Sequence, residues 1–290
     1  MNTTRFGVAS LSILASLSLM ACDSDDSNSS VDGGGNNGGT DATGGGDNCP
    51  SIPTRMVVLG DSITACVGVG GKDAATCGPK TFHTSLSTSY ASGLVYENVA
   101  VSGAKTTAVP DSQLATVTTG PGHVMVLVYI GGNDLQPLLT VSDEQADTRF
   151  TQLKIDIRED WDTIFSFFDD AANFPDGVTI FMNNQYNPFD DCTARPPNLP
   201  LGLSTRKNEL LREYNSFMSD MADEHTNVII TDQFTSYLGH GHLFEDASCP
   251  HYTAGSAGWM NDLIHPNAGG HANLAAEWQK TADIWFADCQ

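Results

Sequence analysis

Basic residues are scarce in this 290-residue chain: 13 Lys and Arg stand against 35 Asp and Glu, a formal charge of −22 at pH 7. That balance argues against nucleic acid as a partner, because phosphate contacts depend on Lys and Arg. It also disfavours polyanionic substrates and aids solubility. Six of the acids (Asp23, Asp25, Asp26, Asp32, Asp41 and Asp47) precede residue 49, so the rest of the chain is less extreme. A run long enough to span a bilayer is also lacking, since the apolar stretch over residues 6–20 falls short of the roughly 20 residues required. No C-x-x-C pair occurs, which argues against a zinc–thiolate site and, with the motifs below, for chemistry without a metal or organic cofactor. His240, His242 and nearby His251 have no matched cysteine or carboxylate spacing, so they read as surface residues of a loop.

What is present begins with an export signal. Arg5 supplies a positive start, the apolar stretch follows, and Leu19-Met20-Ala21-Cys22 resembles the bacterial lipobox. The resemblance implies a signal peptide over 1–21 and lipidation of Cys22, placing an exported protein on a membrane of the bacterial envelope, periplasmic or at the cell surface. Residues 22–48 are almost entirely Gly, Asn, Asp, Ser and Thr. Such a segment buries no apolar face and reads as a flexible tether with a reach of roughly 25–30 Å. Residues 49–290 then form one domain of ordinary α/β size. Nothing in it demands more than a monomer.

Apart from Cys22 there are six cysteines, an even set that suggests three disulfides in an exported chain. Fifteen pairings are open; the preferred one is Cys66–Cys77, Cys192–Cys249 and Cys49–Cys289, the last joining the domain's ends. The short first loop would contribute about 3 kcal/mol through chain entropy.

Short apolar runs alternate with helical periodicity from residue 49 onward, as in a parallel sheet with crossover helices. The pattern predicts strands over 55–59, 94–100, 124–130, 178–182 and 228–230. Helices are expected over 143–170, 205–224 and 269–287. Five strands with intervening helices make a three-layer α/β/α sandwich, whose ligands bind beyond the C-terminal strand ends.

Three motifs fall just after such ends. Gly60-Asp61-Ser62 follows the first strand and can expose a serine hydroxyl beside free backbone N–H groups. Gly131-Gly132-Asn133-Asp134 follows the third and brings a carboxamide donor, although by itself it reads more readily as a turn that ends the strand. Asp262-Leu263-Ile264-His265-Pro266 sets an acid and an imidazole three residues apart, within hydrogen-bonding reach. Read plainly, it is a loop-to-helix junction with Pro266 in the first helical turn.

Together these residues resemble the SGNH hydrolases, or GDSL-type esterases and lipases, whose four blocks match in order at Ser62, Gly103, Asn133 and Asp262/His265. The resemblance spans the domain from about Arg55 and implies the flavodoxin-like SGNH fold and a serine ester hydrolase. In it Ser62 is the nucleophile, His265 the general base and Asp262 its orienting acid. The oxyanion is held by the N–H groups of Ser62 and Gly103 and by the Asn133 amide. Implied substrates are small-molecule, lipid or acylated-glycan esters. Residues 66–80 are an insertion beside the nucleophile that ordinary members lack in this form, and it is expected to wall the pocket. The irregular stretches 187–204 and 240–260, stapled if Cys192 and Cys249 pair, are expected to set acyl and alcohol selectivity. Two other readings keep the fold: a surface glycan-binding protein without turnover, and an acyltransferase using the same acyl-enzyme.

Overall fold

The computed structural model describes residues 51–193 and 203–287. The signal peptide, the tether, Cys22 and the Cys49–Cys289 pair lie outside the described residues. Five strands form one parallel sheet: β1 (Arg55–Gly60), β2 (Val95–Asn98), β3 (Val124–Tyr129), β4 (Val178–Asn183) and β5 (Val228–Thr231). Their spatial order is β2-β1-β3-β4-β5. The helices are α1 (Gly78–Ser89), α2 (Gly132–Leu135), α3 (Asp143–Phe168), α4 (Thr205–Asp223), α5 (Gln233–Tyr237) and α6 (Ala268–Trp285).

The central strands β1, β3 and β4 are mostly apolar because both faces are covered, all six residues of β3 being buried, whereas the edge strand β2 (Val-Tyr-Glu-Asn) has none buried. Alternation sorts their side chains between two cores. Val57, Leu59, Val126 and Ile180 pack on one face with Trp161 of α3 and Met218 of α4. Met56, Val58, Leu127 and Phe181 pack on the other with Phe82 of α1 and Trp278 of α6. The Trp278 indole N–H donates to Asn183 Oδ1 at 2.6 Å, which satisfies its one polar atom inside the core.

Helix starts follow local chemistry. Ser142 and Gln145 form a reciprocal capping box at α3, and Asn267 accepts from Gly269 N and Gly270 N at α6. Pro266 therefore precedes the helix rather than occupying its first turn, and it pairs with Met260 in an isolated antiparallel bridge. The sequence pattern had no place for α1. Cys66–Cys77 and Cys192–Cys249 are both bonded, as expected. No described helix is long and apolar enough to cross a membrane.

The order reverses between β1 and β3, the point where an open parallel sheet leaves a crevice at its carboxyl edge. Ser62 follows β1 and Asn133 follows β3, so both motifs open onto that crevice.

Candidate active site

Gly60 lies at φ +133°, where an added Cβ would run into the Tyr129 carbonyl of β3. Only glycine lets the two strands stay paired while the chain turns. The Gln113 side chain holds the turn from the other side, accepting from Gly60 N and donating to Gly60 O at 2.9 and 2.8 Å. Asp61 then caps the turn by accepting from Ile63 N at 2.9 Å. Ser62 is left nearly buried, its backbone N–H and its hydroxyl making no hydrogen bond among the described residues.

Asn133 ties the oxyanion candidates together. Its Nδ2 donates to Ala104 O at 2.8 Å, beside Gly103, and lies 3.5 Å from Asp61 Oδ2, beside Ser62. Both amide hydrogens thus have acceptors, a close one at Ala104 O and a long one at Asp61 Oδ2. Gly103 has φ +81° and open space where a side chain would stand, and its N–H makes no hydrogen bond among the described residues. Asp134 brackets the same loops, accepting from Thr106 N at 2.9 Å and Thr106 Oγ1 at 3.1 Å. Burial pushes the Asp134 carboxyl upward, and the Thr106 donors only partly offset this. Burial likewise pushes Asp61 up to about 7; the Ile63 N–H pulls it back, and the Asp134 charge adds to the rise.

His265 Nδ1 lies 2.9 and 2.8 Å from the two oxygens of Asp262. Asp262 Oδ1 also accepts from the backbone N–H of Ile264 and of His265 at 3.0 and 2.8 Å. Partial burial raises the Asp262 carboxyl, but the His265 ring and these two N–H groups outweigh it and hold the net below the ordinary range. A carboxylate on Nδ1 puts the neutral ring's proton there and leaves Nε2 as the acceptor. The Asp262–His265 contact is therefore made. Ser62 Oγ and His265 Nε2 are not hydrogen-bonded to each other or to any other described group.

A cavity of about 100 Å³ runs inward from Asp61, Ser62 and Asn133. Beyond that polar mouth its walls are apolar, chiefly Leu135, Leu138 and Leu139, Leu210 and Leu211 of α4, and Phe189. Pro188, Phe189 and Leu203 bring in the 187–204 stretch as expected, whereas no residue of the 66–80 insertion or of 240–260 lines the cavity. The insertion packs elsewhere: Gly68 abuts the Asn261 side chain, and Gly78 N donates to His271 Nδ1 at 3.3 Å.

Cys192, Asp246 and Cys249 are the one close group of metal-type ligands among the described residues. The two sulfurs are bonded to each other, so no thiolate is offered.

Sequence reasoning missed the run 183–187, Asn-Asn-Gln-Tyr-Asn, which is buried at the end of β4. Gln185 Nε2 donates to Ile130 O at 2.7 Å, and Tyr186 donates its hydroxyl to Ile264 O. Five polar side chains in a row at and after the end of a largely apolar strand were the available signal, since buried polar groups need partners. The loop histidines are not free surface residues either: His242 Nε2 meets Leu263 O at 3.1 Å, His251 Nε2 meets Asp191 at 2.9 Å, and His240 stacks on Trp259.

Residues 58–272 match the GDSL-like Lipase/Acylhydrolase family. The chain belongs to that family, whose chemistry is the hydrolysis of ester bonds. No curated protein matches it. Among solved structures it is similar to an extracellular lipase from Streptomyces rimosus, with 21% identity, 79% of this chain and 99% of that one covered, and a TM-score of 0.55. Phospholipase A1 from Streptomyces albidoflavus NA297 follows at 20% identity, the same coverages and 0.54. The lipase Lip_vut3 from a goat rumen metagenome has 14% identity over 78% of this chain and 96% of its own, also at 0.54. At these identities the likeness supports the shared fold.

Proposed function

We propose that this protein hydrolyses carboxylic esters through an acyl-enzyme on Ser62. His265 Nε2 removes the Ser62 proton as Oγ attacks the carbonyl carbon. The resulting oxyanion accepts hydrogen bonds from Ser62 N–H, Gly103 N–H and the Asn133 amide, whose long contact to Asp61 Oδ2 gives way to it. Collapse expels the alcohol, which takes the proton from His265. Water then repeats the attack, with His265 again as base, and releases the acid and Ser62. Asp262 holds the ring tautomer and stabilises the imidazolium. The Ser62–His265 hydrogen bond forms as substrate docks, since such contacts tighten in the Michaelis complex.

One observation carries this reading: Asn133 reaches the neighbours of both backbone donors while the Asp262–His265 pair is formed. The apolar cavity behind Ser62 supports an acyl chain as its occupant. Two disulfides and the lipobox-like Cys22 support an exported, lipid-anchored protein.

Hydrolysis of p-nitrophenyl esters from C2 to C16 tests the proposal. Each methylene that enters the cavity is worth about 0.8 kcal/mol, so kcat/KM should climb roughly fourfold per carbon and then level off. Ser62→Ala should lower kcat/KM by at least about 10³-fold. Equal rates for the two proteins would remove the mechanism.

A further inference from the structure

The segment carrying Asp262 and His265 is held by hydrogen bonds both within itself and from outside. Inside it, Ile264 N and His265 N donate to Asp262 Oδ1, and His265 O accepts from Asn261 N at 2.8 Å. The carbonyls of Leu263 and Ile264 are held from outside. Ile264 O accepts from the Tyr186 hydroxyl, and Leu263 O lies 3.1 Å from His242 Nε2. A carbonyl can only accept, so the ring proton of His242 is on Nε2.

His242 is itself held with unusual care. Its backbone N–H donates to Pro188 O at 2.8 Å. Just ahead of it, Gly239 N and Gly241 N both donate to Asp190 Oδ1 at 2.9 Å. Asp190 is 1% exposed, and its backbone and that of Asp191 lie at φ 55° and 57°. Two successive non-glycine residues in the left-handed region are strained and persist only where their surroundings demand them. Gly241 is required as well, since a Cβ there would stand 2.5 Å from Pro188 O and 2.8 Å from Asp190 Oδ2. The Cys192–Cys249 disulfide follows directly on Asp191. On the other side, the His240 ring stacks on Trp259 at 3.5 Å, and Trp259 N donates to His240 O at 2.8 Å. The loop therefore grips the chain on entry to the Asp262–His265 segment and again inside it.

We infer that His242 is a positioning residue for His265: through the Leu263 carbonyl it fixes where the Asp262–His265 pair stands, with buried Asp190 as the anchor of the strut. The inference rests on the triad reading above. His242 touches no reacting atom.

The test compares His242→Asn and His242→Gln in the full chain, using p-nitrophenyl butyrate, thermal unfolding and the NMR signal of the His265 ring Hε1. The Gln amide can extend to Leu263 O, whereas the shorter Asn amide cannot. His242→Asn should lose about 10- to 100-fold in kcat with KM changed less than about threefold, and the His265 signal should move. His242→Gln should recover to within about threefold of wild type, with the signal restored. Equal kcat for the two variants, or a His265 signal unmoved in His242→Asn, overturns the inference. If wild type has no turnover, or Ser62→Ala leaves it intact, the ester-hydrolase reading fails instead; the NMR comparison still decides the positioning claim. If His242→Asn does not fold, the same comparison is made with Asp190→Asn, which keeps one oxygen on the Gly239 and Gly241 amides. There a His265 signal identical to wild type, with Asp190→Ala also unmoved, is the overturning result.

Discussion

Asp61 sits beside the nucleophile with 2% of its surface exposed, and burial, with the Asp134 charge adding to it, holds its carboxyl near 7 against an ordinary 3.8. The consequence for stability has a definite sign. Between about pH 4 and 7 the folded protein keeps a proton that the unfolded chain has released, so this group's contribution falls as pH rises through that window and is flat above it. Three pH units at 1.36 kcal/mol each put the loss on the order of 4 kcal/mol. Asp61→Asn keeps an acceptor for Ile63 N but cannot ionise. Urea unfolding at pH 4.5 and 7.5 should show wild type losing more stability between the two than the variant. Identical losses would mean that the carboxyl titrates alike folded and unfolded. Ser62 and Asn133 were legible as residues because each lies in a short motif at a strand end, and Asp262 and His265 because they stand three apart just ahead of the last helix. Asp61's burial was not, since adjacency in sequence says nothing of what covers a side chain.

Among the elements, the loops decide most. The Cys192–Cys249 bridge closes a loop with a sequence separation of 57, against 11 for Cys66–Cys77. Chain entropy makes the first worth about 4 kcal/mol and the second about 3. The longer bridge also adjoins the Asp190 anchor, so its loss reaches the site. Cys192→Ala/Cys249→Ala should therefore lower both Tm and kcat/KM, while Cys66→Ala/Cys77→Ala lowers Tm by less and leaves the apolar cavity unaltered. Calorimetry and the C2–C16 series check this; equal effects of the two pairs would count against it. The strands and the helices α3, α4 and α6 were readable from periodicity to within a few residues. Helix α1 was not: in Gly-Pro-Lys-Thr-Phe-His-Thr-Ser-Leu-Ser-Thr-Ser only Phe82 and Leu86 mark its apolar face. His240 and His242 looked like surface residues because the bonds that hold their loop, Gly239 N and Gly241 N to Asp190, join distant parts of the chain.

At the scale of the whole molecule, the formal charge of −22 acts on substrates before they dock. A neutral ester meets no barrier, while an ester with an acidic acyl or alcohol part is repelled over the Debye length, about 10 Å at 0.1 M salt. Raising NaCl from 10 to 500 mM should increase kcat/KM several-fold for a p-nitrophenyl ester carrying a free carboxylate, and leave the butyrate nearly unchanged. A flat response for both esters would mean that the charge lies away from the cavity mouth.

The sheet, its two covered faces and the placement of the Ser62 and Asn133 motifs at strand ends follow from the sequence itself, because period-2 and period-3.6 burial are local properties that survive without neighbours. The Asp262–His265 motif lies between α5 and α6 rather than at a strand end. Tertiary structure alone decided which loops line the cavity, that the 66–80 insertion turns away from it, and that a histidine loop holds the Asp262–His265 segment. These depend on backbone groups finding partners across large separations in the chain, and hydrogen bonds of that kind leave no periodic trace to read.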